Sequence, residues 1–439
     1  MVTDAARATV DPLEYLFGLE LFGIKFGLEN IRTLVEGLGR PDRSFPTLHI
    51  AGTNGKGSVT AMVDAALRAA GFRSARYTSP HLIDLTERFA INGQAINRPA
   101  LVDVVDHIRN RINALLATGA LSAQPTFFEV TTAAALELFR RASVDIAVME
   151  VGLGGRLDAT NVITPVATAI TSIAFDHERY LGRTLDAIAR EKAGIIKPGV
   201  PVVVGQLEAE ARLAIDRVAH ERDANVIRAD EGVTVEGIRQ APDAPTRFSL
   251  RTPAREYGEL ALSLRGRHQI GNAVVAVRLL ELLDERGFQV PRAAVVEGLG
   301  SVVWPGRLEH CRMADGSEMI LDAAHNPAGA ATLAAYLTEV FDRKLPLVFA
   351  AMTDKDVPRM FEALLPSVAA LVVTRASNPR SADPEALARQ AADIDPGISV
   401  IIRPILAEAL AAARALSPRV VVAGSIFLLG DVMKAASTP

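Results

Sequence analysis

Apolar residues along this chain come in short blocks that alternate between two periods. Residues 47–51 form a brief apolar run suited to a buried strand, and after a polar, glycine-rich interval Val59, Met62, Val63, Ala66 and Leu67 recur at helical spacing. The same alternation continues. Residues 101–116 and 127–141 predict helices, 144–151 and 166–173 buried strands, 187–196 a helix, 200–205 a strand and 266–283 another helix. Strands that alternate with helices imply parallel βαβ units in a doubly wound sheet, and such sheets bind ligands at the C-terminal ends of their strands. Residues 1–46 read as a helical lead-in broken by Pro41 and Pro46. Residues 226–264 change character, mixing charged and β-branched positions with turn signals, and predict an antiparallel excursion.

Gly298, Gly300, Pro305 and Gly306 cluster around the only tryptophan, Trp304, and predict a domain boundary. Beyond it the alternation restarts, with strands expected at 319–323, 345–351, 370–374, 399–402 and 419–423 between alanine-rich helices. The expected architecture is α/β in two domains. Residues 1–298 form a larger domain with a mostly parallel sheet, and 299–439 a smaller Rossmann-like one of ordinary domain size.

A length of 439 residues agrees with two cores. The net charge of −4 comes from 47 basic and 51 acidic residues interspersed along the chain, so nothing draws it globally to nucleic acid or an anionic membrane. Cys311 is the only cysteine, which excludes an internal disulfide and a cysteine-based zinc site. No apolar run is long enough to span a bilayer, and the first residues lack a signal peptide's apolar core. A cytoplasmic monomer acting on small molecules is expected.

Chemistry concentrates first at Gly52-Thr53-Asn54-Gly55-Lys56-Gly57-Ser58, between the first strand and its helix. Three glycines let the backbone turn its N–H groups toward phosphate oxygens, the helix start adds partial positive charge, and Lys56 adds a full one. The loop departs from the standard phosphate loop: Ile50 stands where the first glycine belongs, Gly57 follows the lysine, and Ser58 comes one residue late. Glu150 closes an apolar strand and is followed by Val151-Gly-Leu-Gly-Gly-Arg-Leu-Asp158-Ala-Thr-Asn161, a position suited to holding magnesium over bound phosphates. Further segments of interest are Tyr77-Thr-Ser79-Pro-His81, Phe175-Asp176-His177, Arg190-Glu191-Lys192-Ala-Gly, His268-Gln-Ile-Gly-Asn272, Trp304-Pro-Gly306-Arg307, Leu321-Asp322-Ala-Ala-His325-Asn326-Pro327 and Ala351-Met352-Thr-Asp354-Lys355.

Together these segments, in this order from about residue 28 to 425, resemble the folylpolyglutamate synthase and dihydrofolate synthase group of the Mur ligase superfamily, and within it the bifunctional bacterial type. The resemblance implies an N-terminal ATPase domain of P-loop type and an ATP-dependent amide ligase of folate biosynthesis and one-carbon metabolism. In that reaction a carboxylate of dihydropteroate or of a reduced folate attacks the γ-phosphate of ATP and releases ADP, and the amine of L-glutamate then displaces phosphate from the resulting acyl phosphate. It implies ATP contacts from Gly52 to Ser58, with Asn272 reading the adenine, Asp322 near the ribose and Arg307 reaching the phosphates. Ser58, Ser79, Glu150 and His177 become ligands to two magnesium ions. Thr126, Phe128 and Asp158 become the folate pocket, and His325 and Ser425 the glutamate site. His325 would orient or deprotonate the amine. Lys192 acts as an ammonium against phosphate or, carbamylated, as a magnesium ligand. Ala323 replaces a common glycine, and the role of Lys355 stays open. The competing readings are a Mur-type ligase on a UDP-sugar peptide and a non-catalytic ATP-binding switch. Only 46 residues precede the first strand, which leaves no obvious extra nucleotide-sugar domain, and a switch would leave Asp158, His325 and Ser425 unexplained.

Overall fold

The computed structural model describes residues 11–23, 27–313 and 316–437; positions 1–10 and 24–26 of the expected lead-in lie outside them. The described lead-in is helical at Pro12–Gly18 and Glu29–Gly37, and Pro41 opens a short 3₁₀ turn before the first strand. The chain divides into two units. The first comprises Met1–Ile173, Thr184–Glu231 and Val274–Gly298; the second comprises Ala174–Arg183, Gly232–Ala273 and Leu299–Pro439.

The first unit carries β1 (Thr47–Ala51), β2 (Ser74–Tyr77), β3 (Phe89–Ile91), β4 (Gln94–Ala95), β5 (Ile146–Glu150), β6 (Ala167–Ile170), β7 (Val202–Val204) and β8 (Val226–Arg228). They form one sheet in the order β4-β3-β2-β5-β1-β6-β7-β8, parallel except at the β2-β3-β4 edge. β1 lies between two parallel partners, Ile50 opposite Glu150 and Ala51 opposite Ile170, so the loops leaving β1, β5 and β6 emerge side by side. Burial on both faces explains why β1 and β5 are continuous apolar runs. β2 and β3 are too short and mixed to show that signature.

The second unit holds an antiparallel sheet of β9 (Thr234–Ala241), β10 (Ala244–Arg251) and β11 (Glu256–Leu262). The antiparallel excursion is therefore real but begins later than the sequence pattern indicates, because Val226–Arg228 pairs parallel with β7 instead. On β10, Thr246, Phe248 and Leu250 are buried while their neighbours are exposed, as a one-sided sheet requires. The second sheet of this unit comprises β12 (Glu309–Arg312), β13 (Glu318–Leu321), β14 (Leu345–Phe349), β15 (Val368–Val373), β16 (Val400–Ile402) and β17 (Arg419–Ala423), ordered β12-β13-β17-β14-β15-β16. All its pairs are parallel except β12-β13. The C-terminal ends of β13, β17 and β14 thus lie together.

The glycines clustered at residues 298–306 do not all lie in a turn. Gly298 and Gly300 sit inside the helix Arg292–Ser301, and a Cβ on Gly298 would come within 2.5 Å of the Ala66 backbone. That glycine serves close packing. The true turn lies at Gly306, whose φ is +70°.

Candidate functional site

In the first unit, β1 runs directly into Gly52. Its φ of +149°, and a Cβ position only 2.0 Å from the Thr171 hydroxyl, admit no side chain. Gly55, also at positive φ, starts the helix Lys56–Ala69, which no side chain caps. Its first N–H groups and partial positive charge form the usual setting for a bound anion. The loop is pinned from β6: the Thr53 and Asn54 N–H groups donate to the Ser172 carbonyl (2.8 Å) and hydroxyl (3.0 Å), and the Thr171 hydroxyl donates to the Asn54 carbonyl (2.6 Å). Sequence reasoning missed Thr171 and Ser172; two hydroxyl residues at a strand's C-terminal end were the available signal. Lys56 folds over the loop, with Nζ at 3.1 Å from the Gly52 carbonyl and 3.2 Å from that of Thr53. Lys192, buried at 5% exposure, donates to the same Gly52 carbonyl at 2.9 Å.

Glu150 is buried at the end of β5, and the Ser79 N–H donates to its Oε2 at 3.3 Å. Among the described residues no cluster of three His, Cys, Asp or Glu forms a metal site by itself. One carboxylate beside a serine is a hard-oxygen donor set that fits magnesium, an ion that takes its remaining ligands from phosphate and water.

The loop after Glu150 is held from two sides. Cβ atoms on Gly155 and Gly194 would strike Lys192 O and Arg156 Cβ at 2.8 and 2.3 Å, and Arg156 pairs with Glu191 at 2.9 Å. Phe128 packs its ring on Gly152, where a Cβ would lie 2.4 Å from it. Asp158, in turn, accepts from Leu153 N–H (2.8 Å), Thr160 N–H (3.0 Å) and the Thr160 hydroxyl. Burial raises its pKa against these hydrogen bonds. Phe128 and Asp158 therefore meet on one loop. Thr126 caps the helix Phe127–Arg141 reciprocally with Glu129, so its side chain already has a structural duty. Behind Asp158, Thr160 accepts from buried His49 at 2.8 Å.

The second unit carries the remaining candidates. Asp322, following β13, accepts from Leu308 N–H and Ala324 N–H, both at 2.9 Å. It thereby shapes the turn that presents Arg307. Burial raises the Asp322 pKa while Arg307 opposes the rise; burial and the same arginine push His268 down to about 4. Asn272 Nδ2 donates to Gln269 Oε1 at 2.9 Å. His325 Nδ1 donates to the Ala323 carbonyl (2.8 Å), which leaves Nε2 facing Asp176 Oδ2 at 3.6 Å. Asp176 also accepts from Lys355 Nζ (2.7 Å), Asn326 Nδ2 (3.0 Å) and the His177 N–H (2.9 Å). Burial works to raise its pKa, but His325, Lys355 and His177 prevail and hold the carboxyl well below its usual range. His177 adopts φ +52°, an uncommon conformation for a non-glycine residue. Ser425 follows β17, and its hydroxyl accepts from Phe427 N–H at 3.2 Å; the Gly424 N–H donates to the Ala324 carbonyl at 2.9 Å, tying this turn to that of His325. The sequence reading gave Asp176 and Asn326 no role, and left that of Lys355 open.

A nucleotide-type loop on a parallel sheet, joined in one chain to a second α/β unit with Asp322, His325 and Ser425 at its strand ends, defines a two-domain ligase. Residues 50–280 match the Mur ligase middle domain and 306–426 the Mur ligase glutamate ligase domain, so the chain belongs to the Mur ligase family. Within it, this chain falls among the dihydrofolate synthase/folylpolyglutamate synthases. It is 36% identical over 357 residues to that enzyme of Bacillus subtilis, covering 81% of this chain and 82% of the relative. It is similar to the crystal structure of Mycobacterium tuberculosis folylpolyglutamate synthase complexed with ADP and AMPPCP (TM-score 0.90, 36% identity, 98% of this chain and 100% of that one). A bifunctional folylpolyglutamate synthase/dihydrofolate synthase with Mn, AMPPNP and L-glutamate bound is also similar (TM-score 0.82, 30% identity, 98% of each chain).

No helix among the described residues is long and apolar enough to cross a membrane.

Proposed function

We propose that this chain joins L-glutamate to folates at the expense of ATP, and that it acts both on dihydropteroate and on the glutamate tail of reduced folates. The observation that carries the reading is the Gly52 carbonyl, which receives Lys56 and buried Lys192 together and so fixes two lysines against one phosphate loop. The substrate carboxylate attacks the γ-phosphate, ADP leaves, and the glutamate amine then displaces phosphate from the acyl phosphate. Lys56 and the helix start position the phosphates and stabilise the charge that spreads over them. A magnesium ion held by Glu150 and Ser79 supplies further neutralisation when bound. Lys192, if carbamylated, would offer hard oxygens to a second ion. In the second unit, the Nδ1 hydrogen of His325 is committed to a carbonyl, so Nε2 is the nitrogen that orients the incoming amine or takes its proton. Asp322 and Arg307 serve the nucleotide, and Ser425 serves the glutamate.

The test mixes the purified chain with ATP, magnesium, glutamate and either dihydropteroate or tetrahydrofolate, and follows ADP release and a glutamate-sized mass gain. Lys56→Ala is the control. It should reduce turnover about 100- to 1,000-fold while circular dichroism stays unchanged. Turnover within a few-fold of the parent would refute the loop assignment, and ADP release without a mass gain would refute the ligase reading.

A further inference from the structure

Away from the phosphate loop, the first unit contains a cavity of about 290 Å³ lined by three arginines and a lysine from separate parts of the chain. Arg32 comes from the helix Glu29–Gly37, Arg156 from the glycine-rich loop, Lys197 from the turn after the helix Leu185–Ala193, and Arg222 from the end of Ala209–Glu221. None of residues 52–58, Thr126, Phe128, Glu150, Asp158 or Lys192 lines it. The cavity is thus separate from the ATP and folate positions discussed above.

The charge there is poorly balanced. Arg156 is matched by Glu191, and Lys197 Nζ donates to the Asn161 backbone carbonyl at 2.9 Å, a neutral partner. Among the described residues the side chains of Arg32 and Arg222 have no hydrogen bond or ion pair, and Glu29 is the one acid on the lining. The crowding is felt by Lys197. Burial, reinforced by Arg32 and Arg222, pushes its pKa down to about 8. The cleft is half open to solvent, with Arg32 and Arg222 exposed at its rim and Lys197 half-buried beneath them. Cations gathered there repel one another and lower their energy when an anion enters, and guanidinium forks suit the paired oxygens of phosphate and carboxylate.

We propose that this cavity is a second oxyanion site, built for a compact, multiply charged anion whose oxygens are clustered, as in a phosphate compound or a small polycarboxylate. It does not depend on the ligase reading. An occupant also draws on Lys197, five residues along the chain from Lys192, whose Nζ contacts the phosphate loop.

Calorimetric titration of the full chain in metal-free, low-salt buffer tests the site, with inorganic pyrophosphate in one arm and tricarballylate in the other. The Lys56→Ala protein, impaired at the phosphate loop, should keep one binding event. In that background Arg32→Ala or Arg222→Ala should weaken the event at least tenfold without altering the circular dichroism, while Lys197→Arg should retain it. Dependence of either probe on these arginines supports the site, and the tighter probe identifies the group its ligand carries. If Lys56→Ala abolishes all binding, or the arginine variants bind like their parent, the proposal fails.

Discussion

Asp176 and Lys355, 179 residues apart in the sequence, meet at 2.7 Å with each side chain only 9% exposed. The same carboxylate faces His325 and accepts from Asn326, so one acid organises three side chains around the proposed glutamate site. Its charge is essential to that role. Asp176→Ala leaves Lys355 buried without its counterion and should cost about 3 kcal/mol in urea unfolding, and about 100-fold in turnover. The double variant Asp176→Leu/Lys355→Met removes both charges and should recover most of the stability but not the turnover. A double variant with parental turnover would show that the pair is structural only.

Asp158 distinguishes the two folate substrates. Its oxygens already accept from Leu153 and Thr160, so Asp158→Ala loosens the loop as well as removing a carboxylate. Thr160→Val serves as the loosening control, because it keeps the Asp158 carboxylate while removing the hydroxyl that donates to it and accepts from His49. Asp158→Ala should depress dihydropteroate ligation at least tenfold more than extension of tetrahydrofolate polyglutamate, and Thr160→Val should affect both equally. Equal losses in Asp158→Ala would remove the pterin assignment.

The phosphate loop and its strand were legible because their signal is contiguous: an apolar run, spaced glycines and one lysine within residues 47–58. The parallel sheets were legible for the same local reason. What the sequence hid was pairing across distance. Nothing near Asp176 announces Lys355, and nothing near Gly52 announces that Thr171 fills the space a side chain would need. Val226–Arg228 looked like the start of the antiparallel segment because a three-residue strand has too few positions to reveal which partner it takes. Arg32, Lys197 and Arg222 were equally invisible as a group, each being an ordinary surface cation until the fold brings them around one cavity.

His49 gives the first unit a defined acid sensitivity. It is fully buried in β1, and since Thr160 gives its hydroxyl proton to Asp158, His49 must donate from Nε2 and is held neutral. Burial, aided by Lys197, lowers its pKa from 6.5 to about 3. Between those values the unfolded chain takes up a proton that the folded chain refuses. The stabilisation is therefore complete above pH 6.5 and is lost as pH falls toward 3, at up to about 1.4 kcal/mol per pH unit. His268, held near pKa 4, adds a similar contribution in the second unit. His49→Gln keeps a donor for Thr160 but cannot titrate, so unfolding curves from pH 7 to 4 should show a shallower loss of stability. An unchanged slope would mean that His49 is protonated in the folded protein.

Lys192 decides whether the phosphate loop is served by a cation or by an added anion. It lies buried near the end of the helix Leu185–Ala193, with Nζ at 2.9 Å from the Gly52 carbonyl. An ammonium suits that contact and would neutralise phosphate. A carbamate, formed when the neutral amine adds to carbon dioxide and releases a proton, keeps one N–H for Gly52 while presenting two oxygens to a magnesium ion, a hard-ligand arrangement that ion favours. Our reading is the carbamate. Lys192→Ala should lose most activity, and acetate or formate should restore part of it by placing carboxylate oxygens in the vacated space. The parent, incubated with ¹³C-labelled bicarbonate, should show a carbamate carbon signal by NMR that Lys192→Ala lacks. Restoration by small amines instead of carboxylates, with no such signal in the parent, would establish that the positive charge is what the loop requires.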